Sequence, residues 1–186
     1  MRSIKKVAIV AIALSVSVVA YAQQKGEMAV GGDFAIGIGS DLANFGIGAR
    51  FQYDVVDQIR MEGSFMFFLP KKEEMFVSKT TITMWEVGFT GHFLLPLADR
   101  IILYPLVGLS VVGAKAKFET ILGNYSDSKT GIGLNLGGGL DVKISGNLFL
   151  NVEPKLKIVS LYIDRGSDTD RNLLSVWLSF GIKYKF

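Results

Sequence analysis

Phe45-Gly46-Ile47-Gly48-Ala49-Arg50-Phe51-Gln52-Tyr53-Asp54-Val55 sorts into two interleaved sets of side chains. Phe45, Ile47, Ala49, Phe51, Tyr53 and Val55 are apolar and mostly large, while Gly46, Gly48, Arg50, Gln52 and Asp54 are small, polar or charged. A period of two belongs to an extended strand, whose successive side chains leave on opposite faces. The two faces of this strand meet different solvents.

The same alternation recurs on both sides of it. Met28, Val30, Phe34, Ile36 and Ile38 alternate with Ala29, Gly31, Asp33 and Ala35; Ile59, Met61, Phe65, Phe67 and Leu69 with Arg60, Glu62 and Ser64; Trp85, Val87, Phe89, Phe93 and Leu95 with Glu86, Gly88, Thr90 and His92. A more apolar segment, about 101–118, sets Val107, Leu109 and Val111 against Gly108 and Ser110. Then Ile132 to Ile144 alternate with Gly133, Asn135, Gly137, Gly139, Asp141 and Lys143; Leu148, Leu150, Val152, Leu156 and Ile158 with Asn151, Glu153, Lys155 and Lys157; Leu174 to Phe186 with Ser175, Ser179, Gly181, Lys183 and Lys185. Eight segments result. From the second onward, short connections (near 55–58, 96–100 and 145–147) alternate with longer polar ones (70–80, 119–130 and 164–172). The pattern predicts an all-β, eight-stranded antiparallel up-and-down barrel with tight turns at one rim and longer loops at the other.

The bulk of the apolar face decides which side is out. Eight strands enclose just enough room for side chains. Glycines, small residues and charges suit that interior, and rows of Phe, Leu and Ile do not. The greasy face therefore points outward, which only lipid tolerates, and a sheet in lipid must close because open edges leave backbone groups unpaired. A soluble lipocalin-type carrier is the opposite patterning and is the alternative at this level. Two prolines, Pro105 and Pro154, lie inside strand segments, where a bulge or strand end is expected. Val159, Leu161 and Ile163 are out of phase, which suggests a bulge near Ser160 or a strand end beyond the membrane.

The N-terminus reads separately. Arg2, Lys5 and Lys6 precede an uninterrupted apolar run, Val7 to Val19, followed by Ala20-Tyr21-Ala22. This is the pattern of a secretory signal peptide over residues 1–22, leaving 23–186 as the barrel domain. The chain has 20 basic and 17 acidic residues; without those three it holds 17 of each. The net positive charge thus belongs to the removable segment, and nucleic acid is not an expected partner. The absence of cysteine removes thiol chemistry and thiolate metal sites.

The C-terminal run Phe180-Gly181-Ile182-Lys183-Tyr184-Lys185-Phe186 resembles the terminal signal of outer-membrane proteins, an alternating stretch ending in an aromatic that the barrel-assembly machinery reads. Tyr104-Pro105-Leu106-Val107-Gly108-Leu109 is similar to a segment of the outer membrane protein beta-barrel domain family, akin to the barrels of outer membrane proteins A and X. The resemblance spans essentially all of residues 23–186. It implies a bacterial outer-membrane location, contact with outer-membrane lipid, and assembly through Phe180, Ile182, Tyr184 and Phe186. A monomer is a separate expectation.

Candidate functional residues lie mostly on the inward face: Asp33, Arg50, Asp54, Arg60, Glu62, Glu86, Asp141, Glu153 and Lys155, with Lys143, Lys157, Lys183 and Lys185. A hairpin centred on Asp57 sets Asp54 opposite Arg60 and Gln52 opposite Glu62. These charges either line a narrow pore or neutralise one another inside a filled barrel. Compensation is the better reading, since an unpaired buried charge is costly. His92 lies near the short-turn rim, with Glu86 and Thr90 on its face and Glu62 next door. No serine–histidine arrangement accompanies it, so a lipid-modifying enzyme is the weaker alternative, and no catalytic residue or cofactor is expected. Asp164, Asp168 and Asp170 lack a calcium-loop pattern and are interrupted by arginines, so no metal is expected there. Tyr53, Phe93, Tyr104, Phe149, Tyr184 and Phe186 at one rim, and Phe45, Phe67, Trp85 and Tyr162 at the other, form candidate aromatic girdles. The expectation is a non-enzymatic outer-membrane barrel with a structural or surface-interaction role through its outer loops; the extracellular partner is not legible.

Overall fold

The computed structural model describes residues 26–38, 45–75, 78–120, 123–162 and 171–186. The segment 1–22, the first loop and the aspartates 164, 168 and 170 lie outside them. Nine strand segments follow in order: β1 (Met28–Ile38), β2 (Phe45–Val56), β3 (Ile59–Met75), β4 (Ser78–Phe93), β5 (Leu95–Ala98), β6 (Ile101–Thr120), β7 (Gly123–Ser145), β8 (Leu148–Tyr162) and β9 (Arg171–Lys185). β4 and β5 are two parts of one stave. His92 faces Leu106 and Leu95 faces Leu103, the same register on β6 either side of a break at Leu94. β1 pairs with β9 and β4 with β6, so the eight staves close.

The ladder fixes the barrel's shape. A walk through paired residues runs Met28, Tyr53, Met61, Gly91, Val107, Leu136, Leu156, Val176 and returns to β1 at Ile38, ten residues beyond its start. With eight staves spaced about 4.8 Å apart and a rise of about 3.3 Å per residue, that stagger corresponds to a tilt of roughly 40°. A tilted barrel of this size has an interior that side chains fill.

The faces follow the alternation. Phe89 is 59% exposed and Leu109 61%, and Val30, Phe51, Phe65, Val107, Ile132, Phe180 and Ile182 are also exposed. Each would gain about 1.5–3 kcal/mol on leaving water, so an unbroken wall of them calls for hydrocarbon around it. The opposite face is buried, including Asp33, Arg50, Asp54, Arg60, Glu62, Asp141 and Glu153.

Several local expectations are corrected. The segments 70–80 and 119–130 are not loops: β3 and β4 stay paired to Met75 and Ser78, and β6 and β7 to Thr120 and Gly123, with β4 and β6 also paired to Ser78 and Thr120. Polar residues there suit strands that have left the bilayer, so polarity marks the membrane boundary and not the end of the sheet. A membrane strand needs about 9–11 residues; β6 has 20 and β7 has 23. Beyond Val111, β6 continues for nine residues, which at this tilt lifts a four-stranded sheet roughly 20 Å above the belt.

Neither Pro105 nor Pro154 causes a bulge; register shifts lie instead between Phe68 and Lys71, around Pro70, and between Pro96 and Ala98. Pro105 faces Gly138 in unbroken register, and its missing N–H falls where pairing with the neighbouring stave lapses between His92–Leu106 and Leu95–Leu103; the N–H of Leu94 is held there at 2.8 Å by the carbonyl of Gln58. Pro154 lies where β7–β8 pairing lapses between Gly137–Lys155 and Leu140–Val152, with the same register on both sides, and it still pairs with Leu178. No register shift occurs at Ser160, which pairs with Ile132 and Asn172; Val159 is an inward residue that is apolar. The side chain of Leu161 and all of Ile163 lie outside the described residues.

Candidate functional site

The interior is built in three layers. At the rim carrying the chain termini and the turns at Asp57–Gln58, Asp99–Arg100 and Gly146–Asn147, an apolar cluster joins Leu94, Ile102, Tyr104, Leu106 and Phe149. Toward the other rim, Ala35, Phe68, Met84, Val112, Val159 and Trp177 form a second, with Phe68 and Trp177 edge-to-face at 4.7 Å. Charged and polar residues fill the space between.

Arg50 is the hub of that middle layer. Its Nε donates to Asp33 Oδ2 at 2.5 Å, and its Nη1 donates to Glu62 Oε2 at 3.1 Å and to Glu153 Oε2 at 3.3 Å. Asp33 lies on β1, Glu62 on β3 and Glu153 on β8, so one guanidinium on β2 ties both neighbours of its own strand to a stave that it meets only because the barrel closes. Gln52 Nε2 donates to Glu62 Oε2 at 2.6 Å from the facing position of the β2–β3 hairpin. Arg60 repeats the device nearer the turn rim, with Nε on Asp54 Oδ1 and Nη1 on Asp141 Oδ2, both at 2.8 Å. Lys183 donates to Gln52 Oε1 at 3.0 Å and pairs with Asp141. Asn151 Nδ2 donates to Asp141 Oδ1 at 2.9 Å and to Tyr104 Oη at 2.5 Å, and Tyr104 donates in turn to Glu153 Oε2 at 2.8 Å. Lys155 Nζ lies 2.5 Å from Glu153 Oε1. Lys157 Nζ donates to Glu86 Oε2 at 2.6 Å while standing 5.4 Å from the Phe68 and Trp177 ring centres, which stitches the polar layer to the apolar one. Lys185 pairs with Glu27 and, at 3.0 Å, with Asp54.

Asp33, Asp54, Glu62, Glu86, Asp141 and Glu153 are thus balanced by Arg50, Arg60, Lys155, Lys157, Lys183 and Lys185, six against six. A low-dielectric interior penalises any member left alone, so the set stands or falls together. Lys143 does not join it: exposed at the turn rim, its ammonium lies 6.0 Å from the Phe149 ring centre.

Two girdle assignments are corrected. Tyr104 is fully buried and Phe149 nearly so, both inside the lumen. Their places in the alternation of β6 and β8 put them on the inward face; proximity to the rim alone suggests lipid. Tyr53, Phe93, Tyr184 and Phe186 are exposed there, and Phe45 and Trp85 at the other rim, where Phe67 is half-buried. The side chain of Tyr162 lies outside the described residues. Phe180, Ile182, Tyr184 and Phe186 lie on the outward face of β9 and just beyond its end.

His92, fully buried, stacks on the Tyr104 ring at 4.7 Å with an interplanar angle of 8°, and its Nε2 is 3.9 Å from Glu62 Oε2. His92, Glu62 and Glu153 present ligand-type atoms within 4.8 Å of one another.

A closed, tilted, eight-staved sheet with a hydrocarbon-seeking exterior and a neutralised ionic interior defines a transmembrane β-barrel. The model of the outer membrane protein beta-barrel domain family matches residues 7–186. The chain belongs to that family, and it is an outer-membrane barrel. No curated protein sequence matches it. Among solved structures it is similar to Ail, the attachment invasion locus protein of Yersinia pestis, at 20% identity and a TM-score of 0.58, covering 88% of this chain and 100% of that one. Neisserial surface protein A is 18% identical with a TM-score of 0.59, over 86% of this chain and 96% of that one. A major outer membrane protein of Thermus thermophilus is 12% identical with a TM-score of 0.60, over 88% of this chain and 100% of that one.

Proposed function

We propose that this barrel is a non-enzymatic surface-interaction protein whose working part is the sheet that rises beyond the membrane. The observation that carries the reading is the continued pairing of β3, β4, β6 and β7 far past the apolar belt. Ordered strands there represent conformational entropy given up outside the membrane, where spanning does not require it. On the axis-facing side of this sheet, Phe118 and Tyr125 stack across strands at 6.5 Å, and Tyr125 is 67% exposed. Aromatics held open to water on a rigid frame are the usual anchors of protein contacts. The relatives give the direction: one is described as an attachment invasion locus protein and another as a surface protein.

The alternatives have less support. A pore would have to pass two apolar layers and break ion pairs in the middle one, and His92 has no hydroxyl or thiol nucleophile among its described hydrogen-bond partners. In this reading residues 1–22 direct export and are removed, Phe180, Ile182, Tyr184 and Phe186 serve as the assembly signal, and the barrel works as a monomer in outer-membrane lipid. The test is to replace residues 70–80 and 118–125 by short turns and measure adhesion of cells displaying each form. A heat-modifiable barrel that no longer adheres is expected. Unchanged adhesion, or steady single-channel conductance of the intact barrel in planar bilayers, would refute the proposal.

A further inference from the structure

We propose that Glu62, His92 and Glu153 form a site for a first-row divalent cation of the Zn2+ type, placed at the centre of the lumen. The Oε2 atoms of both glutamates are occupied: Arg50 and Gln52 donate to that of Glu62, and Arg50 and Tyr104 to that of Glu153. Glu62 Oε1 and both ring nitrogens of His92 make no hydrogen bond although all are buried, and Glu153 Oε1 has Lys155 as its ion-pair partner. A buried imidazole with neither nitrogen satisfied has lost its water partners without replacement.

The surroundings have the form of a metal site's outer shell. Ligating carboxylates are ordinarily held by hydrogen bonds on their other oxygen, which is the role Arg50, Gln52 and Tyr104 take here. Stacking on Tyr104 fixes the plane of His92. One nitrogen and two oxygens leave a fourth position for water, and imidazole with carboxylate favours zinc-like ions over calcium or magnesium. Ligand atoms bound at about 2.0–2.1 Å in a tetrahedron lie about 3.3 Å apart. His92 Nε2 lies 3.9 Å from Glu62 Oε2, and the ligand-type atoms of the three residues lie within 4.8 Å of one another, so forming the site takes a turn of the Glu62 carboxylate and a closure of up to about 1.5 Å.

Lys155 is the competitor. Its ammonium, 2.5 Å from Glu153 Oε1, already places a positive charge at one of the ligand atoms. A metal would take that oxygen and Lys155 would turn away on its flexible stem. The ion would join β3, β4 and β8 through the lumen, staves that are not all neighbours in the sheet. This inference is independent of what the projecting sheet binds.

The test uses the full barrel refolded in detergent with Co2+ or Zn2+ present, because both ends are filled and loading accompanies closure. After desalting, metal content is measured by mass spectrometry and the Co2+ form by visible d–d absorption. The wild type should retain about one ion per folded barrel with a four- or five-coordinate spectrum. His92→Phe, which keeps the stacking surface, should bind about 100-fold more weakly, and Lys155→Met should bind more tightly than wild type. Heat-modifiable migration identifies the folded fraction of each variant. Wild-type barrel that retains no metal, or retains as much as His92→Phe, overturns the proposal, and the wild-type measurement decides it even if a variant does not fold.

Discussion

Replacing Arg50 by Met tests the compensated interior most directly. Arg50 touches Asp33, Glu62 and Glu153, whose side chains are 2% exposed or less. Removing one partner of a buried pair costs about 3–5 kcal/mol, chiefly because the opposite charge is stranded. Here three carboxylates lose a counterion, although Lys155 still serves Glu153 and Gln52 still donates to Glu62. Asp33 relies on Arg50 for its ion pair and its side-chain hydrogen bond, so the loss should fall in the upper part of that range. Urea unfolding of the barrel in lipid vesicles, followed by tryptophan emission and gel migration, gives the number. Arg50→Met combined with Asp33→Asn should recover about 1–2 kcal/mol, because the stranded charge is then gone. An internal control comes from Lys129→Met, whose partner Asp127 is 3.8 Å away and half-exposed; its loss should stay below about 1 kcal/mol. If Arg50→Met costs no more than Lys129→Met, the interior is wet enough to screen its charges and the account of a sealed ionic layer is wrong.

Three further outcomes follow from the same geometry. Phe89→Arg places a charge near the middle of the apolar belt and should cost about 2–4 kcal/mol in vesicles, against less than about 1 kcal/mol for Ser128→Arg in the projecting sheet; equal costs would mean that the outward face is not in lipid. Gly139→Ala drives a methyl group into the Tyr104 ring, while Gly63→Ala has nothing within 4 Å; the first should lower stability by about 1–3 kcal/mol and the second by less than about 0.5, measured by the same unfolding midpoints. Trp177→Ala removes the largest member of the upper apolar layer and should cost about 3–5 kcal/mol, yet planar bilayers should remain silent because the ionic layer and the lower cluster persist.

Much of the architecture is legible in the sequence because lipid imposes a simple rule on every stave. Phe51 beside Arg50 and Phe89 beside Thr90 could not exchange faces without a polar or charged group entering hydrocarbon, so alternation alone yields strand, phase and side. The pairings Gln52–Glu62 and Asp54–Arg60 are readable too from a hairpin centred on Asp57, although the turn itself pairs Val56 with Ile59 and a register shift between Asp54 and Val56 brings the inward pairs into line. What escapes are contacts made only by closure. Nothing local joins Tyr104 to Glu153, or His92 to both Glu62 and Glu153, because the residues lie on staves whose relation depends on the stagger. The apolar layers escape for another reason. Phe68, Trp177 and Val159 hold inward positions, which a rule that sends bulk outward does not anticipate. The extension of β6 and β7 is hidden because a strand in water on both faces loses the contrast that announces it within the membrane.

The seam between β1 and β9 has a consequence for how the molecule comes into being. Met28 and Phe186 exchange backbone hydrogen bonds at 3.1 and 2.8 Å, so β1, already paired with β2, gains its second neighbour only when the last strand has been made. Until then two raw edges stand open, each a row of amides and carbonyls that hydrocarbon will not solvate. Closing this seam removes both edges together, and it is the pairing of greatest sequence separation in the wall.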